Sequence, residues 1–143
     1  MTRIRSLVLL GLSVLAMLVL ASTAVAEVES TSFSEVTETS AKLEARVNPE
    51  GHKVKYRFWL EYFKCNQCEC NPIDCEVKTP LGRWRRLSGN EALDVRYTLT
   101  DLSPGCSYSF WIESPAHVVS RAHSFTTTGK YGGACSGPRR RRG

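Results

Sequence analysis

The amino-acid sequence predicts an all-β protein, an antiparallel β-sandwich of about seven short strands. Apolar and polar residues alternate with a period of two in several segments, which is the pattern of half-buried strands. Gly, Pro, Asn and Asp residues lie between these segments, and no segment after residue 26 shows a helical period of 3.6. Antiparallel strands need only short connections, so about 100 residues suffice for such a sandwich.

The N-terminus predicts a secretory signal peptide over residues 1–26. Met1–Ser6 carries two arginines and no acid, Leu7–Leu20 is almost wholly apolar, and Ala24–Ala26 has the small-residue pattern of a cleavage site. The apolar core has 14 residues, fewer than the roughly 20 that a membrane-spanning helix needs. An uncleaved anchor is the alternative. Cleavage after Ala26 predicts a secreted, extracellular chain with no membrane span.

Three strands are predicted in the first half of the exported chain. Thr31–Val36 is the first, and Ser40–Asn48 is the second because its odd-numbered residues are all apolar. Asn48–Gly51 has the composition of a turn. Lys53–Phe63 alternates again, with Val, Tyr, Phe, Leu and Tyr on one face and Lys, Arg, Trp and Glu on the other.

Four further strands are predicted in the second half. Arg83–Leu87 is a short edge strand. Leu93–Leu99 and Cys106–Glu113 alternate clearly, with residues 93, 95, 97 and 99 and residues 106, 108, 110 and 112 facing inward. Val118–Thr127 is the last strand, and its inward face cannot be read from the weaker alternation.

Several short motifs resemble fibronectin type III domains, which belong to the immunoglobulin-like sandwiches. Asp101–Phe110 (DLSPGCSYSF) is similar to the L-x-P-G-x-x-Y-x-F stretch of that family, and Thr37–Leu43 resembles the segment that leads into its second strand. Asn48–Gly51, followed by a Tyr-rich strand, is similar to a variant common in secreted bacterial proteins, and Phe125–Thr127 resembles the close of the last strand.

The resemblance implies one fibronectin type III-like sandwich over residues 27–130. It also implies that Tyr108 is the corner tyrosine, whose hydroxyl bonds to the backbone upstream. Two departures are present, since the second strand lacks the Trp often found there and residues 64–81 form a Cys-rich insert. Residues 131–143, rich in Gly and Arg, are predicted to be a disordered basic tail.

Four cysteines lie within eleven residues of the insert, at positions Cys65, Cys68, Cys70 and Cys75. In an exported protein such a cluster predicts disulfides, which would give shape to a long loop without a core. A four-thiolate zinc site and a redox pair are the alternatives. Zinc sites usually separate two C-x-x-C pairs by a dozen or more residues, and redox motifs lie at a helix N-terminus. The pairing among the four cysteines stays open.

The remaining cysteines, Cys106 and Cys135, are predicted to form a disulfide. Cys106 opens the sixth strand, and the last strand ends near Thr127 at the same end of the sandwich. The eight residues from there to Cys135 are enough for the chain to return.

Outward-facing aromatic residues are the best sequence indication of function. Trp59 and Trp111 both fall on the polar side of strands that would be neighbours, and Phe63 shares that phase. Together with Trp84 they predict an exposed aromatic patch that binds a partner. The alternative is that the Cys-rich loop or the tail covers these rings. The basic segment around Trp84 is compatible with an anionic polymer or with a protected sheet edge.

The charge distribution limits the classes of partner. Six of the 19 Lys and Arg residues lie at the two ends of the chain, which leaves 13 against 14 Asp and Glu in the body. The body is therefore near neutral, and a nucleic-acid partner is not expected. Arg139–Arg142 would suit an anionic wall polymer or lipid surface, or would simply be solvated.

No catalytic constellation is evident, because the three histidines are scattered and no G-x-S-x-G motif is present. We therefore expect a secreted, non-catalytic binding module without cofactor or metal, whose ligand is an extracellular polysaccharide or protein. The alternative of another class is a small secreted enzyme or metal or redox protein that uses Cys65–Cys75.

Overall fold

The computed structural model describes residues 26–64, 75–115, 117–118 and 120–138, with residues 117 and 118 described by their backbone alone. Within these ranges the chain forms eight strands. Their bounds are β1 Glu27–Ser34, β2 Ala41–Asn48, β3 Val54–Phe63, β4 Glu76–Leu87, β5 Leu93–Leu99, β6 Ser107–Ser114, β7 His117–Val118 and β8 His123–Thr126.

Two antiparallel sheets form a sandwich, as the sequence predicts. The smaller sheet has the order β1-β2-β5, and the larger sheet has the order β4-β3-β6. The short strands β7 and β8 both pair with β6, at its end and its beginning respectively. The predicted single last strand is therefore two strands, with Phe125 as the inward residue of β8.

The core lies between the sheets and consists of the apolar phase of each strand. In β2 and β3 the predicted inward residues are buried without exception up to Leu60. Tyr97 packs on Phe58 with ring centroids 6.3 Å apart, which fills space beside the small residues of β2. Burial of each large apolar side chain is worth about 1.5–3 kcal/mol. Leu93 departs from the prediction, because it lies at the start of β5 and is 41% exposed.

Strand β4 is longer than predicted. It begins at Glu76, inside the segment assigned to the Cys-rich insert, and its first residues pair with β3 from Phe63 back to Trp59. Pro80 made this segment resemble a loop. Because β4 is an edge strand, Pro80 removes no hydrogen bond that a further strand would need. The first strand also starts earlier than predicted, at Glu27 rather than Thr31.

The segment 131–138, predicted to be disordered, lies against one end of the sandwich. The predicted disulfide between Cys106 and Cys135 is present, with Cα atoms 5.7 Å apart. The backbone N–H of Cys135 donates to the carbonyl of Lys64, and the backbone N–H of Ser136 donates to the Ser103 hydroxyl. These bonds and the bridge hold a Gly-rich segment that has few apolar side chains.

Tyr108 makes the backbone bond that the resemblance implies. The backbone N–H of Ser103, five residues upstream, donates to the Tyr108 hydroxyl at 2.9 Å. The same hydroxyl donates to the carbonyl of Ser136 at 2.6 Å, so it also anchors the C-terminal segment. Gly105 completes this corner, since its φ is +65° and a Cβ would lie 2.5 Å from the backbone nitrogen of Tyr131.

Several predictions fall outside the described residues. They concern the signal peptide up to residue 25, the pairing of Cys65, Cys68 and Cys70, and the anionic partner of Arg139–Arg142. Within the described ranges, no helix is long and apolar enough to cross a membrane.

Candidate functional site

The outer face of the larger sheet carries most of the predicted patch. Strand β3 buries its even-numbered residues from Val54 to Leu60, so Arg57 and Trp59 point away from the core. The register places Trp59 directly opposite Trp111 of β6 and Arg57 opposite Glu113. Alternation and register together therefore bring the two predicted tryptophans side by side.

Four side chains form a continuous row across three strands, which we call the aromatic row: Trp84, Arg57, Trp59 and Trp111. The rings of Trp59 and Trp111 are nearly parallel, with an interplanar angle of 4° and centroids 6.0 Å apart. The Arg57 guanidinium lies 4.7 Å from the Trp59 centroid and 4.3 Å from that of Trp84. Each such cation–π contact is worth about 0.5–1 kcal/mol at an exposed site.

A bulge in β4 places Trp84 at the end of this row. Between the partners of Tyr56 and Phe58, β4 contains more residues than β3 does, and the register shifts. Gly82 lies there with φ +72°, a conformation that glycine adopts without strain. The extra residues allow Trp84 to reach over Arg57 although no residue of β4 is directly opposite Arg57 in the ladder.

Arg57 is the residue of the row that sequence reasoning missed. It follows the outward phase of β3 two positions before Trp59, which was the available signal. Nothing in the sequence indicated that it would connect Trp59 to Trp84, because the bulge that brings Trp84 there was not predicted.

Phe63 does not join the row. It is 52% exposed at the end of β3, four residues beyond Trp59, and among the described residues it makes no ring contact with the tryptophans. Trp84 is 37% exposed, whereas Trp59 and Trp111 are half-buried. The structure thus brings together three of the four predicted patch residues.

Three buried polar atoms in the row or directly beside it lack hydrogen-bond partners among the described residues. They are Nε of Arg57, Nε1 of Trp59 and, opposite Arg57, Oε2 of Glu113. Although Glu113 is the cross-strand partner of Arg57, the two make no ion pair within 4.0 Å. Arg57 packs on aromatic rings instead, and the row keeps hydrogen-bonding capacity that the fold does not use.

The two ends of this face differ in charge. At one end Lys55 of β3 lies opposite Arg86 of β4, and both are exposed. At the other end Lys78 contacts Glu76 at 2.6 Å and Glu61 at 3.9 Å. Partial burial and a hydrogen bond with Glu76 raise the pKa of Glu61, while the hydrogen bond from Lys78 lowers the pKa of Glu76.

The part of this face between Trp111 and the beginning of β6 is uncharged and polar. The hydroxyls of Ser109 and Ser124 are 2.8 Å apart, and those of Ser107 and Thr126 are 2.9 Å apart. These pairs extend the face from Trp111 toward the beginning of β6, and they are exposed or half-buried.

Among the four cysteines of the Cys-rich insert, one lies in the described residues. Cys75 is buried next to the beginning of β4, with 1% exposure, and Cys65, Cys68 and Cys70 lie outside the described residues. Among the residues that the structure describes, no three His, Cys, Asp or Glu side chains are grouped to hold a metal ion. Because three of the four cysteines lie outside the described residues, disulfides at this cluster stay a prediction, with a zinc site as the alternative.

A groove separates the edge strands β4 and β5 on one side of the sandwich. It is lined by Leu81 and Gly82 of β4, by Tyr97 and Thr98 of β5, and by Pro138 near its end. The aromatic row lies on the outer face and not in this groove. The charged residues in the groove lining are Arg83 and Asp101, one of each sign.

Comparison with known proteins identifies no family. No protein family model matches the chain, and no curated protein sequence does. Among solved structures, the chain is similar to the sensor domain of the anti-sigma factor RsgI4 of Pseudobacteroides cellulosolvens.

Three structures of that sensor domain match. A longer form is 18% identical with a TM-score of 0.48, covering 75% of this chain and 91% of that one. A shorter form is 21% identical with a TM-score of 0.49, covering 77% of this chain and 99% of that one. A solution structure is 20% identical with a TM-score of 0.45, covering 73% of this chain and 75% of that one. At these levels of similarity, neither a ligand nor a function is carried over to this chain.

Proposed function

We propose that this chain is a non-catalytic extracellular binding module and that the aromatic row is its ligand-binding surface. The ligand class we propose is polysaccharide. The observation that carries this proposal is the row itself, in which Trp84, Trp59 and Trp111 line up across the outer face of the larger sheet and are joined through Arg57.

Packing of the core does not require large aromatic side chains at these positions. They lie on the outward phase of their strands, where the equivalent face of the smaller sheet carries polar and charged residues. Trp and Arg are the residue types that dominate binding energy at interfaces, because they provide large rigid contact areas. A row of three tryptophans on the outside of a sheet is therefore best explained by a ligand.

The geometry of the row favours an extended ligand that presents flat rings. Neighbouring strands are about 4.8 Å apart, so the three strands β4, β3 and β6 spread the row over roughly 10 Å. Pyranose rings expose apolar C–H faces that pack on aromatic rings, and hydroxyl groups beside those faces need hydrogen-bond partners. The exposed hydroxyls of the serines next to Trp111 provide such partners.

Two further features support an extracellular, fibronectin type III-like domain, which we propose as the class of this sandwich. The Cys106–Cys135 disulfide is typical of proteins that leave the reducing cytoplasm. The strand order of the two sheets and the Tyr108 bond to Ser103 support the resemblance that the sequence motifs indicate.

The proposal is tested by removing a ring from the row and, as a control, an exposed apolar side chain from the other sheet. In affinity electrophoresis, a soluble polysaccharide in the gel retards a protein that binds it. We expect the Trp84→Ala and Trp111→Ala variants to be retarded less, with affinities at least tenfold lower than that of the wild type, since each hot-spot residue contributes about 2 kcal/mol or more. Leu93→Ala is the matched control, because Leu93 is 41% exposed on the smaller sheet. Unchanged retardation of both tryptophan variants, with correct folding, would refute the proposal.

A further inference from the structure

We infer that the ligand of the aromatic row is an acidic polysaccharide whose carboxylates are bound by Lys55 and Arg86. This inference rests on the proposed function and adds the charge of the ligand to it. It is carried by a second observation, which is independent of the tryptophans: two cations lie opposite each other at one end of the row with no acidic partner.

Lys55 and Arg86 are direct cross-strand partners on the outer face of the larger sheet. Like charges at such positions repel and destabilise a sheet. Among the described residues, neither side chain has a carboxylate within 4.0 Å, and neither does Arg57. The fold therefore retains an unfavourable pair of exposed cations that an anionic ligand would neutralise.

The cation pair is placed to act together with the tryptophans. Lys55 precedes Arg57 by two residues on the same face of β3, a separation of about 6.8 Å along the strand. A sugar that packs on Trp84 thus has its substituents within reach of both cations. At the opposite end of the face, Glu61 and Glu76 surround the single cation Lys78, so an acidic chain is favoured at the Lys55 end.

The body of the chain, without the arginines at its two ends, carries no general positive charge that would attract polyanions. Apart from the arginines at its two ends, the chain has 13 basic and 14 acidic residues. Recognition of an anion by the sandwich itself therefore requires a local cluster. The only place in the described sheets where two unpaired cations lie opposite each other beside aromatic rings is the Lys55–Arg86 pair.

The probes are polygalacturonate and alginate, each compared with its own carboxyl-reduced form, which keeps the backbone but removes the charge. We expect the full chain to bind at least one acidic polymer, to bind the reduced form about tenfold less tightly, and to lose affinity as salt is raised. Failure to bind either acidic polymer, or equal binding of the reduced forms, would overturn the inference.

The double variant K55Q/R86Q is compared with R46Q/R96Q, which removes two cations from the outer face of the smaller sheet. Because two exposed ion contacts are lost, K55Q/R86Q should bind the acidic polymer about tenfold more weakly, while R46Q/R96Q should bind normally. Equal losses in both would show that net charge, including that of Arg139–Arg142, governs binding.

Two results separate this inference from the proposed function. If K55Q/R86Q binds like the wild type while Trp111→Ala loses binding to a neutral polysaccharide, the acidic ligand is wrong and the aromatic surface stands. If neither variant changes binding, both proposals fail. Tighter binding to phosphatidylglycerol vesicles or to single-stranded DNA than to either acidic polysaccharide would also overturn the ligand class.

Discussion

The outer faces of the two sheets have the same alternating sequence pattern, but they differ in whether their cations form ion pairs. On the smaller sheet every cation that points outward from β2 and β5 has an acidic partner. Lys42 contacts Glu35, Arg46 contacts both Glu29 and Asp94, and Arg96 contacts Glu44.

On the larger sheet the outward cations of β3 have no such partners among the described residues. Lys55 faces Arg86, and Arg57 packs between two tryptophan rings although Glu113 lies opposite it. Period-two alternation determines which residues reach solvent, but the register between strands determines whether their charges are neutralised. The ion pairs of the smaller sheet leave its face without unpaired cations. The aromatic face of the larger sheet keeps unpaired cations, which is the property expected of a surface that binds an anionic ligand.

The largest expected effect concerns the end of the sandwich that supports both faces. Cys135→Ser opens the bridge to Cys106, and the chain-entropy relation gives a loss of about 3–4 kcal/mol for a loop of this length. Both faces should lose stability together in urea unfolding followed by tryptophan fluorescence and by circular dichroism. Cys106→Ser opens the same bridge without reductant, so it is the control and should match the variant. A Cys135→Ser variant as stable as oxidised wild type would contradict this role.

Loss of the corner hydroxyl should have the next largest effect. Tyr108→Phe removes the acceptor of the Ser103 N–H and the donor to the Ser136 carbonyl, so we expect a loss of about 1–2 kcal/mol. Tyr62→Phe is a matched control, because the Tyr62 ring lies 5.7 Å from that of Tyr108 and its hydroxyl makes no described hydrogen bond. Equal effects of the two changes would argue against the corner bond.

The contact between Arg57 and Trp84 should give a smaller, measurable coupling. In a double-mutant cycle with Arg57→Gln and Trp84→Ala, we expect an interaction free energy of about 0.5–1 kcal/mol. The same cycle with Leu93→Ala in place of the tryptophan change should give no coupling, since Leu93 belongs to the other sheet. A zero coupling for the first pair would mean that the row is not held together through Arg57.

The smallest effects sharpen the comparison most, because they should differ in sign. Removing the repelling pair with K55Q/R86Q should stabilise the fold by a few tenths of a kcal/mol, whereas R46Q/R96Q should destabilise it by a similar amount. Both differences should shrink in high salt, because exposed charges are screened. Destabilisation of similar size by both variants, measured by urea unfolding at low salt, would remove the contrast between the faces.

Sequence reasoning predicted the parts of the molecule that depend on alternation alone. The outward direction of Trp59 and Trp111 followed from the phase of their strands, and the Cys106–Cys135 bridge followed from which strand ends meet. The parts that depend on irregularities were missed. The β4 bulge that brings Trp84 to Arg57 interrupts the alternation, so the sequence pattern does not indicate it. The segment Glu76–Leu81 was not recognised as part of a strand because it contains Pro80 and follows the cysteines.

The C-terminal segment shows the same limit in another form. Residues 131–138 have the composition of a disordered tail, and they are held by a disulfide and by bonds to Ser103, Tyr108 and Lys64. Such contacts come from residues distant in the chain, so local composition did not indicate them. The unpaired charges of Lys55 and Arg86 likewise became visible only once the register of β3 and β4 was known.

Titration of the ¹⁵N-labelled full chain with galacturonate oligosaccharides, followed by two-dimensional NMR, tests the central claim most directly. We expect the indole N–H signals of Trp59, Trp84 and Trp111 and the backbone signals of Lys55 and Arg86 to shift in a saturable way, while those of Arg46 and Arg96 stay in place. Saturable shifts confined to the smaller sheet, to the groove between β4 and β5, or to residues 65–74 or 139–143 would contradict the assignment of the aromatic row as the binding surface.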